Sequence, residues 1–289
     1  MDALINLICR FVIACVQRLP LPRVAQLGRL VGWLVYRLDA RHRRVVLNNL
    51  TLCFGAEKTP AEIAAIAREN FCRIGENFSC AVKTSAMTAA ELQPHVTFTG
   101  IEQLPQKQGD EPLRNVVVAI GHFGNFELYA RINDVRPDYQ SATTYRALNQ
   151  PVLNQVMQAL RNTSGCRYYE RRADGPLLRA AMNRGGVILG LLADQSSVGL
   201  RAPFLGHDCN TGLAPAVLAL RYEASLYSAI CYRTGLAQWR VELGAPIATH
   251  EHGHPRPSDA IMREVNLALE AAVRRDPANW FWVHRRWKD

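Results

Sequence analysis

Continuous apolar runs alternate with helical segments through the second half of the chain, and this alternation constrains the fold more than any other feature. The runs "NVVVAI" (115–120), "GGVILGLLADQ" (185–195) and "SLYSAICYRT" (225–234) have the length and composition of buried β-strands. Helical segments such as "NQPVLNQVMQALRNTSG" (149–165) and "TGLAPAVLALRYEA" (211–224) separate them. Apolar strands joined by helices predict an α/β fold with a mostly parallel central sheet covered by helices on both faces.

The segments upstream of the first strand are helical in pattern. "RRVVLNNLTLCF" (43–54) is followed by a longer stretch, "TPAEIAAIARENFCRIGENFSCAV" (59–82). Thr59 stands directly before a proline, and Glu62 follows three residues later. This spacing predicts a capping box at the start of the longer helix.

Two amphipathic segments, 1–19 and 23–38, open the chain. Asn6, Arg10 and Gln17 share one helical face of the first segment, and they interrupt the apolar run that a signal peptide or a membrane span needs. The apolar faces of the two segments consist of Leu4, Ile8, Phe11, Cys15 and Leu19, and of Val24, Leu27, Val31, Leu34 and Leu38. The arginines that follow are Arg37, Arg41, Arg43 and Arg44.

An apolar face bordered by arginines is typical of a helix in the headgroup region of an anionic membrane. We therefore interpret residues 1–40 as N-terminal amphipathic membrane-associating helices and residues 41–289 as a separate folded domain. Two alternatives stay open: both helices could cap the protein core, or the first could span the bilayer. The net charge of +9 also indicates an acidic partner. The chain has no zinc-finger spacing and no RNP-like motif, so we expect an anionic membrane surface rather than nucleic acid.

The segment "GHFGNFE" (121–127) follows the first apolar strand and carries the residues most suited to chemistry. A strand that ends before His122, a turn at Gly124 and a helix with Asn125 as its N-cap would bring Glu127 back toward the imidazole. A carboxylate that holds one ring nitrogen leaves the other free as a general base, and the helix N-terminus offers amides to an oxyanion. These parts suit the deprotonation of a hydroxyl that attacks an acyl carbonyl. The alternative is a histidine with a purely structural role.

The same segment resembles the H-x-x-x-x-[DE] motif of glycerolipid acyltransferases, in the form seen in bacterial lipid A late acyltransferases, which add secondary lauroyl or myristoyl chains. Further segments resemble that family in the same order, from about residue 43 to the C-terminus: "RRVVLNNLTLCF", "ENFCRIGENF", "TTYRALNQPVLNQVMQALRNTSG", "LLADQSSVGLRAPFLGHDCNTGLAPAVLALR" and "PANWFWVHRRWK".

The resemblance implies direct transfer of a fatty acyl chain from a thioester, on acyl carrier protein or CoA, to a hydroxyl of a lipid A precursor, with no cofactor and no metal. It implies that His122 is the general base and that Glu127 orients it. It also implies a place near the reacting centre for Arg161, and a place for Asp194 at the exit of its strand, where open α/β sheets hold their sites.

Other residues are expected to contact substrate. Arg146 could bind a phosphate of the acceptor or of the carrier arm, or it could be a solvated surface charge. Asn125 and Gln195 belong to the matching motifs and complete the predicted substrate-binding set. The expected location is the cytoplasmic face of the bacterial inner membrane, peripheral or with a single anchor. Other lipid acceptors, or a catalytically idle lipid-binding homologue, are the alternatives.

The C-terminal segment is rich in tryptophan and basic residues and admits two interpretations. Its side chains could lie at a lipid interface, or they could pack as core beneath the last helix. The residues concerned are Trp280, Phe281, Trp282, Arg285, Arg286, Trp287 and Lys288.

Overall fold

The computed structural model of the chain describes residues 2–107, 109 and 112–287. Its helices are α1 (Asp2–Arg18), α2 (Leu21–Leu38), α3 (Ala40–Phe54), α4 (Pro60–Thr84), α5 (Ala89–Leu92), α6 (Pro151–Arg161), α7 (Gly175–Arg184), α8 (Ala214–Arg221) and α9 (Ser258–Arg275). Its strands are β1 (Val96–Thr99), β2 (Val116–Ile120), β3 (Gln140–Tyr145), β4 (Arg167–Glu170), β5 (Val187–Leu192), β6 (Leu200–Phe204), β7 (His207–Thr211), β8 (Ser225–Gly235), β9 (Gln238–Leu243), β10 (His250–Glu251) and β11 (His254–Pro255). A 3₁₀ segment, Phe126–Asp134, lies between β2 and β3.

Seven strands of the described part of the chain form one central sheet in the order β1-β9-β8-β2-β5-β3-β4. The pair β8–β9 is antiparallel, and the other neighbouring strands in this sheet run parallel. Two short antiparallel pairs, β6–β7 and β10–β11, lie outside the sheet. The predicted α/β fold with a mostly parallel central sheet is confirmed.

Side chains of the central strands alternate between two packed layers. Val117 and Leu189 contribute to the largest core cluster, to which Val265 of α9 also belongs. Val118 and Ile188, each one position away in its strand, contribute instead to a cluster that includes residues of the 3₁₀ segment. Both faces of the sheet are therefore covered, which explains why β2 and β5 are apolar without interruption.

The capping box predicted at the start of α4 is present. The backbone N–H of Thr59 donates to Glu62 Oε2 (2.8 Å), and the backbone N–H of Glu62 donates to Thr59 Oγ1 (3.3 Å). Two amides that lack helical partners are satisfied in this way, which fixes where α4 begins.

Helix α2 lies very close to α4 because glycines face each other where they meet. A Cβ at Gly28 would lie 2.5 Å from the carbonyl oxygen of Gly75, and a Cβ at Gly32 would lie 2.1 Å from that of Phe71. Small residues one turn apart allow such close approach of two helix backbones. Helix α2 is thus packed on the body of the protein, and the division of the chain at residue 40 stays a prediction.

The outward faces of α1 and α2 are apolar. Phe11 is 69% exposed and Leu38 is 81% exposed, and Val24 is the member of the predicted apolar faces that is buried instead. The other large exposed apolar residues of these two helices are Leu4, Leu7, Ile8, Val12, Leu27, Leu30, Val31, Trp33, Leu34 and Val35. Within the described residues, none of the helices has both the length and the apolar character needed to cross a bilayer. Association with a membrane surface stays a prediction.

A buried carboxylate joins three parts of the chain. Glu76 of α4 is fully buried, and its Oε2 lies 3.3 Å from Arg29 Nη1 and 2.9 Å from Arg233 Nε. The backbone N–H of Ala237 donates to its Oε1 (3.0 Å). Because a buried charge needs compensating partners, this cluster holds α2, α4 and the β8–β9 turn in one arrangement.

Candidate active site

A tight corner after β2 places His122 at the carboxyl edge of the sheet. Gly124 has a φ of +52°, and a Cβ at this position would lie 2.5 Å from the carbonyl oxygen of Cys231. Glycine is therefore required there. The Gly124 N–H donates to the carbonyl oxygen of Asn279 (3.1 Å), so the C-terminal segment holds the corner in place.

Asp194 follows β5, the strand beside β2, at the same edge. Ile120 and Leu192 are paired in register, so the residues two positions further along each chain, His122 and Asp194, meet. Asp194 Oδ1 lies 2.9 Å from His122 Nδ1. Its Oδ2 accepts from the backbone N–H of His122 and from the indole N–H of Trp280, both at 2.8 Å. The sequence predicted that both residues lie past strand ends, and the structure places them there.

The contact with Asp194 determines which nitrogen of His122 is free. An ionised carboxylate only accepts, so Nδ1 carries the proton and Nε2 presents its lone pair. The rings of Phe126 and Phe281 lie beside the imidazole, with centroids 5.0 Å and 5.8 Å from its own. Gln195 Nε2 lies 3.3 Å from His122 Nδ1. The imidazole is thus held in one orientation with 15% of the side chain exposed.

Each partner shifts the pKa of the other. Burial by itself raises the pKa of Asp194, but the charge of His122 and the hydrogen bonds from His122 and Trp280 lower it to about 2. Burial by itself lowers the pKa of His122, but the attraction of Asp194 and the hydrogen bond to it prevail and raise it above its ordinary value of 6.5. Asp194 is therefore ionised across the working range, and the imidazole is a stronger base than a free histidine.

The carboxylate that is hydrogen-bonded to the imidazole is that of Asp194 and not that of Glu127, which corrects the contact expected from the sequence. Glu127 Oε1 lies 2.5 Å from Arg161 Nη2, and its Oε2 lies 3.2 Å from Arg161 Nε. The planar guanidinium favours this two-point pairing, while Asp194 already occupies Nδ1 of His122. The charge of Glu127 still contributes to the raised pKa of His122. Its role in a reaction stays a prediction.

Asn125 is not the helix cap that was expected. The segment after it is a 3₁₀ helix rather than an α-helix, and its side chain makes no capping hydrogen bond. The Asn125 amide instead donates to Thr84 Oγ1 (3.4 Å), and the side chain is buried. The tertiary contact with α4 outweighs the local capping preference.

A cavity of about 440 Å³ opens beside His122 and runs between the sheet and the 3₁₀ segment. Polar side chains lie at the strand ends, and the wall away from them is apolar. That wall includes Phe98, Ile101, Leu104, Val118, Ile120, Ile132, Ile188, Leu192, Val241 and Leu243. Gly190 of β5 also lines the cavity, and its lack of a side chain leaves space next to Ile120. Such a cavity is suited to an extended apolar group.

The cavity brings together most of the predicted site residues. Those in its lining are His122, Glu127, Arg146, Arg161 and Gln195. Asp194 lies behind the imidazole, and Asn125 is buried outside the lining.

Two residues of the site, Trp280 and Tyr168, have contacts that the sequence did not predict. Trp280 was expected at a lipid interface or in the core, and it is buried, with its indole on Asp194. The ring of Tyr168 lies 5.1 Å from the guanidinium of Arg161 and shields it on one side. The "WFWVHRRW" ending was a signal for the first of these, but no local signal identified Tyr168.

The tryptophans and Arg286 of the C-terminal segment pack as core. Trp282 is fully buried, and the guanidinium of Arg286 lies 4.3 Å from the ring centre of Phe204. The core interpretation is thus correct for Trp280, Trp282 and Arg286, whereas Arg285 is exposed. Lys288 lies outside the described residues.

Comparison with known proteins identifies the family of the chain. A family model described as bacterial lipid A biosynthesis acyltransferase matches residues 3–289. The match covers nearly the whole chain, and the family resemblance found in the sequence is confirmed. Among curated proteins, no sequence matches the chain.

Proposed function

We propose that this chain, which belongs to the bacterial lipid A biosynthesis acyltransferase family, transfers a fatty acyl group from a thioester to a hydroxyl of a lipid A precursor. The observation that carries the proposal is the position of His122. Its Nδ1 is held by the buried carboxylate of Asp194, and the side chain lines a cavity with an apolar wall. Acyl transfer to an alcohol requires a base for the hydroxyl proton and an apolar cavity beside it for the acyl chain.

In the proposed reaction the free nitrogen of the imidazole, Nε2, acts as the general base. Nε2 of His122 accepts the proton of the acceptor hydroxyl as its oxygen attacks the thioester carbonyl carbon. The C–O bond forms, the C–S bond breaks, and the imidazolium returns its proton to the departing thiolate. Asp194 stabilises the imidazolium while it carries the extra proton.

Arg161 and Glu127 have a different task in this proposal. The guanidinium lines the cavity and is kept there by its two-point contact with Glu127. Its positive charge stabilises the negative charge that develops on the carbonyl oxygen. Glu127 then acts as a positioning residue for Arg161. Arg146, also in the lining and exposed, offers a guanidinium to a phosphate of the acceptor.

The acyl chain occupies the apolar part of the cavity in this proposal. Each methylene buried there contributes about 0.8 kcal/mol to binding. The donor is acyl carrier protein or CoA.

A transfer assay tests the proposal. Lauroyl transfer from acyl carrier protein to a lipid A precursor is measured for the wild type, for His122→Ala and for His252→Ala, an exposed histidine on the β10–β11 turn. We expect His122→Ala to lower the rate by about 10²–10⁴-fold, and His252→Ala to leave it unchanged. Equal rates in the wild type and His122→Ala contradict the assignment of the base. Lipid binding without any transfer by the wild type identifies a catalytically idle homologue.

We further propose that the chain lies on an anionic membrane, at the cytoplasmic face of the inner membrane, through the exposed apolar faces of α1 and α2. Phe11 is exposed on α1, and arginines border these helices. Flotation with anionic liposomes tests this with Phe11→Glu and, as a matched control, Val198→Glu at a 99% exposed apolar position elsewhere. Phe11→Glu should reduce the floated fraction, and Val198→Glu should not. Equal flotation of both variants and the wild type contradicts the proposal.

A further inference from the structure

A second cavity, of about 330 Å³, lies on the other face of the sheet from the first. In two strands, neighbouring residues line different cavities. Gly190 lines the first cavity and Leu191 the second, and Tyr168 lines the first and Tyr169 the second. Because side chains of a strand point alternately to opposite faces, the sheet separates the two cavities along most of their length.

The two cavities meet over the carboxyl ends of the strands. Five of the described residues belong to both linings: Thr144 and Leu192, near the ends of β3 and β5, and Arg171, Gln195 and Ser197, which follow strands or lie in loops. Gln195 is the side chain whose Nε2 lies 3.3 Å from His122 Nδ1. A molecule in the second cavity can therefore contact Gln195, which itself lies beside the imidazole.

The lining of the second cavity combines an apolar floor with hydrogen-bonding groups. The floor is formed by Leu178, Leu191, Ala193 and Leu218. The polar groups include the carboxylates of Glu170 and Asp174 and the hydroxyl of Ser197. A slender chain in which amides alternate with apolar groups matches this mixture. The volume is at the lower end of the about 300–1,000 Å³ typical of small-molecule sites, which is too little for a glycolipid with several acyl chains.

The mouth of the second cavity favours an anion. Arg171 lies in the lining and is exposed, and across the described residues it forms no ion pair. Glu170 and Asp174 lie in the same lining, but their carboxylates already accept hydrogen bonds from the backbone N–H groups of Arg172 and Ala173 and of Glu170, respectively. Helix α8 begins in the lining at Ala214 and has no side-chain cap, whereas the first turn of α7 directly follows the carboxylate of Asp174. Guanidinium groups and helix N-termini together attract negative charge.

We propose that the second cavity binds the phosphopantetheine arm of the thioester donor while the acyl chain occupies the first. This inference rests on the proposed acyl transfer. The thioester then spans the junction of the two cavities beside His122, with the amide-bearing arm on one face of the sheet and the hydrocarbon on the other. CoA and acyl carrier protein both carry this arm, and the experiment distinguishes the two sources.

A cavity-filling variant tests the inference. Ala214 is exposed in the first turn of α8 and lines the second cavity but not the first, so Ala214→Trp narrows the arm site without altering the imidazole. Val217→Trp is the matched control, because Val217 is exposed on the same helix and lies outside both linings. The donors are lauroyl thioesters of acyl carrier protein, of CoA and of N-acetylcysteamine, which lacks the phosphate and most of the arm.

We expect Ala214→Trp to raise the KM for the donors that carry the full arm by about tenfold, and to keep kcat/KM for the N-acetylcysteamine thioester within about twofold. If the KM rises only for the CoA thioester or only for the acyl carrier protein thioester, the site is supported and that donor is identified as the source of the arm. The inference is overturned if Ala214→Trp changes the kinetics with all three donors equally, raises only the KM for the acceptor, or changes nothing. It is also overturned if Val217→Trp has the same effect as Ala214→Trp.

Binding without turnover separates this inference from the proposed function. Calorimetry measures CoA binding to the wild type and to Ala214→Trp, and the variant should bind about tenfold more weakly. If the wild type transfers an acyl chain from none of the donors but binds CoA more tightly than Ala214→Trp does, the proposed reaction is wrong and the arm site is supported. Equal binding by the two proteins overturns the arm site whatever the transfer assay shows.

Discussion

Replacement of Asp194 by asparagine removes the charge that holds the imidazole and keeps the side chain the same size. Asp194 is 1% exposed, and its Oδ1 lies 2.9 Å from His122 Nδ1. With charge centres about 4 Å apart and an effective dielectric constant near 20, the carboxylate stabilises the imidazolium by about 4 kcal/mol. If the imidazolium forms fully in the transition state, its loss lowers kcat by on the order of 10³-fold.

The pH profile gives a second readout of the same substitution. The base must be neutral, so the wild-type rate should rise as the pH passes through the pKa of His122, which lies above 6.5. Without the charge of Asp194, burial is the larger influence and lowers that pKa, so the inflection should move to lower pH in Asp194→Asn. The assay is lauroyl transfer measured from pH 5 to pH 9 at saturating donor, with circular dichroism to verify folding.

Glu127→Gln is the matched comparison, since it neutralises the other carboxylate of the site. We expect Glu127→Gln to weaken the two-point contact with Arg161 and to move the inflection of the pH profile less than Asp194→Asn does. If Asp194→Asn keeps more than about a tenth of the wild-type kcat while Glu127→Gln shifts the inflection strongly, Glu127 is the carboxylate that supports the base and our reasoning is refuted.

Further predictions concern specificity and stability. Gly190→Leu places a side chain in the first cavity, so kcat/KM for a lauroyl donor should fall at least about tenfold relative to an octanoyl donor, and equal effects on both chain lengths would contradict a chain site there. Glu76→Gln leaves Arg29 and Arg233 without their shared buried carboxylate, although Arg29 keeps its ion pair with Glu69, and the free energy of unfolding in urea should fall by about 1–3 kcal/mol. Unchanged stability in Glu76→Gln would mean that the cluster does not hold α2 against α4.

The central strands could be predicted from the sequence because they are buried on both faces. β2, β5 and β8 are apolar almost throughout, and this pattern distinguishes them from the amphipathic helices between them. β3 ("QSATTY") and β4 ("RYYE") lie toward one edge of the sheet and are partly polar, so composition did not separate them from loops. The capping box of Thr59 depends on residues within one turn and was predictable for that reason, whereas the cap expected at Asn125 gave way to a tertiary contact with Thr84.

The contacts of the candidate site depend on long-range register, which the sequence does not display. His122 and Asp194 are 72 positions apart and meet only because β2 and β5 pair in one register. Glu127 is close to His122 in sequence, but its partner Arg161 comes from the end of α6, 34 positions away. The residues around position 122 and the family resemblance together named His122, Glu127, Arg161 and Asp194, but they paired His122 with Glu127 instead of with Asp194.

The protonation state of His122 shows whether the carboxylate of Asp194 holds the imidazole as a base. In protein labelled with ¹⁵N at histidine, the His122 signals are assigned by comparison with His122→Gln and followed through a pH titration. We predict that the neutral ring carries its proton on Nδ1, with Nε2 free, and that its pKa lies above 6.5. A neutral ring protonated on Nε2, or a pKa below 6.5, would contradict this prediction.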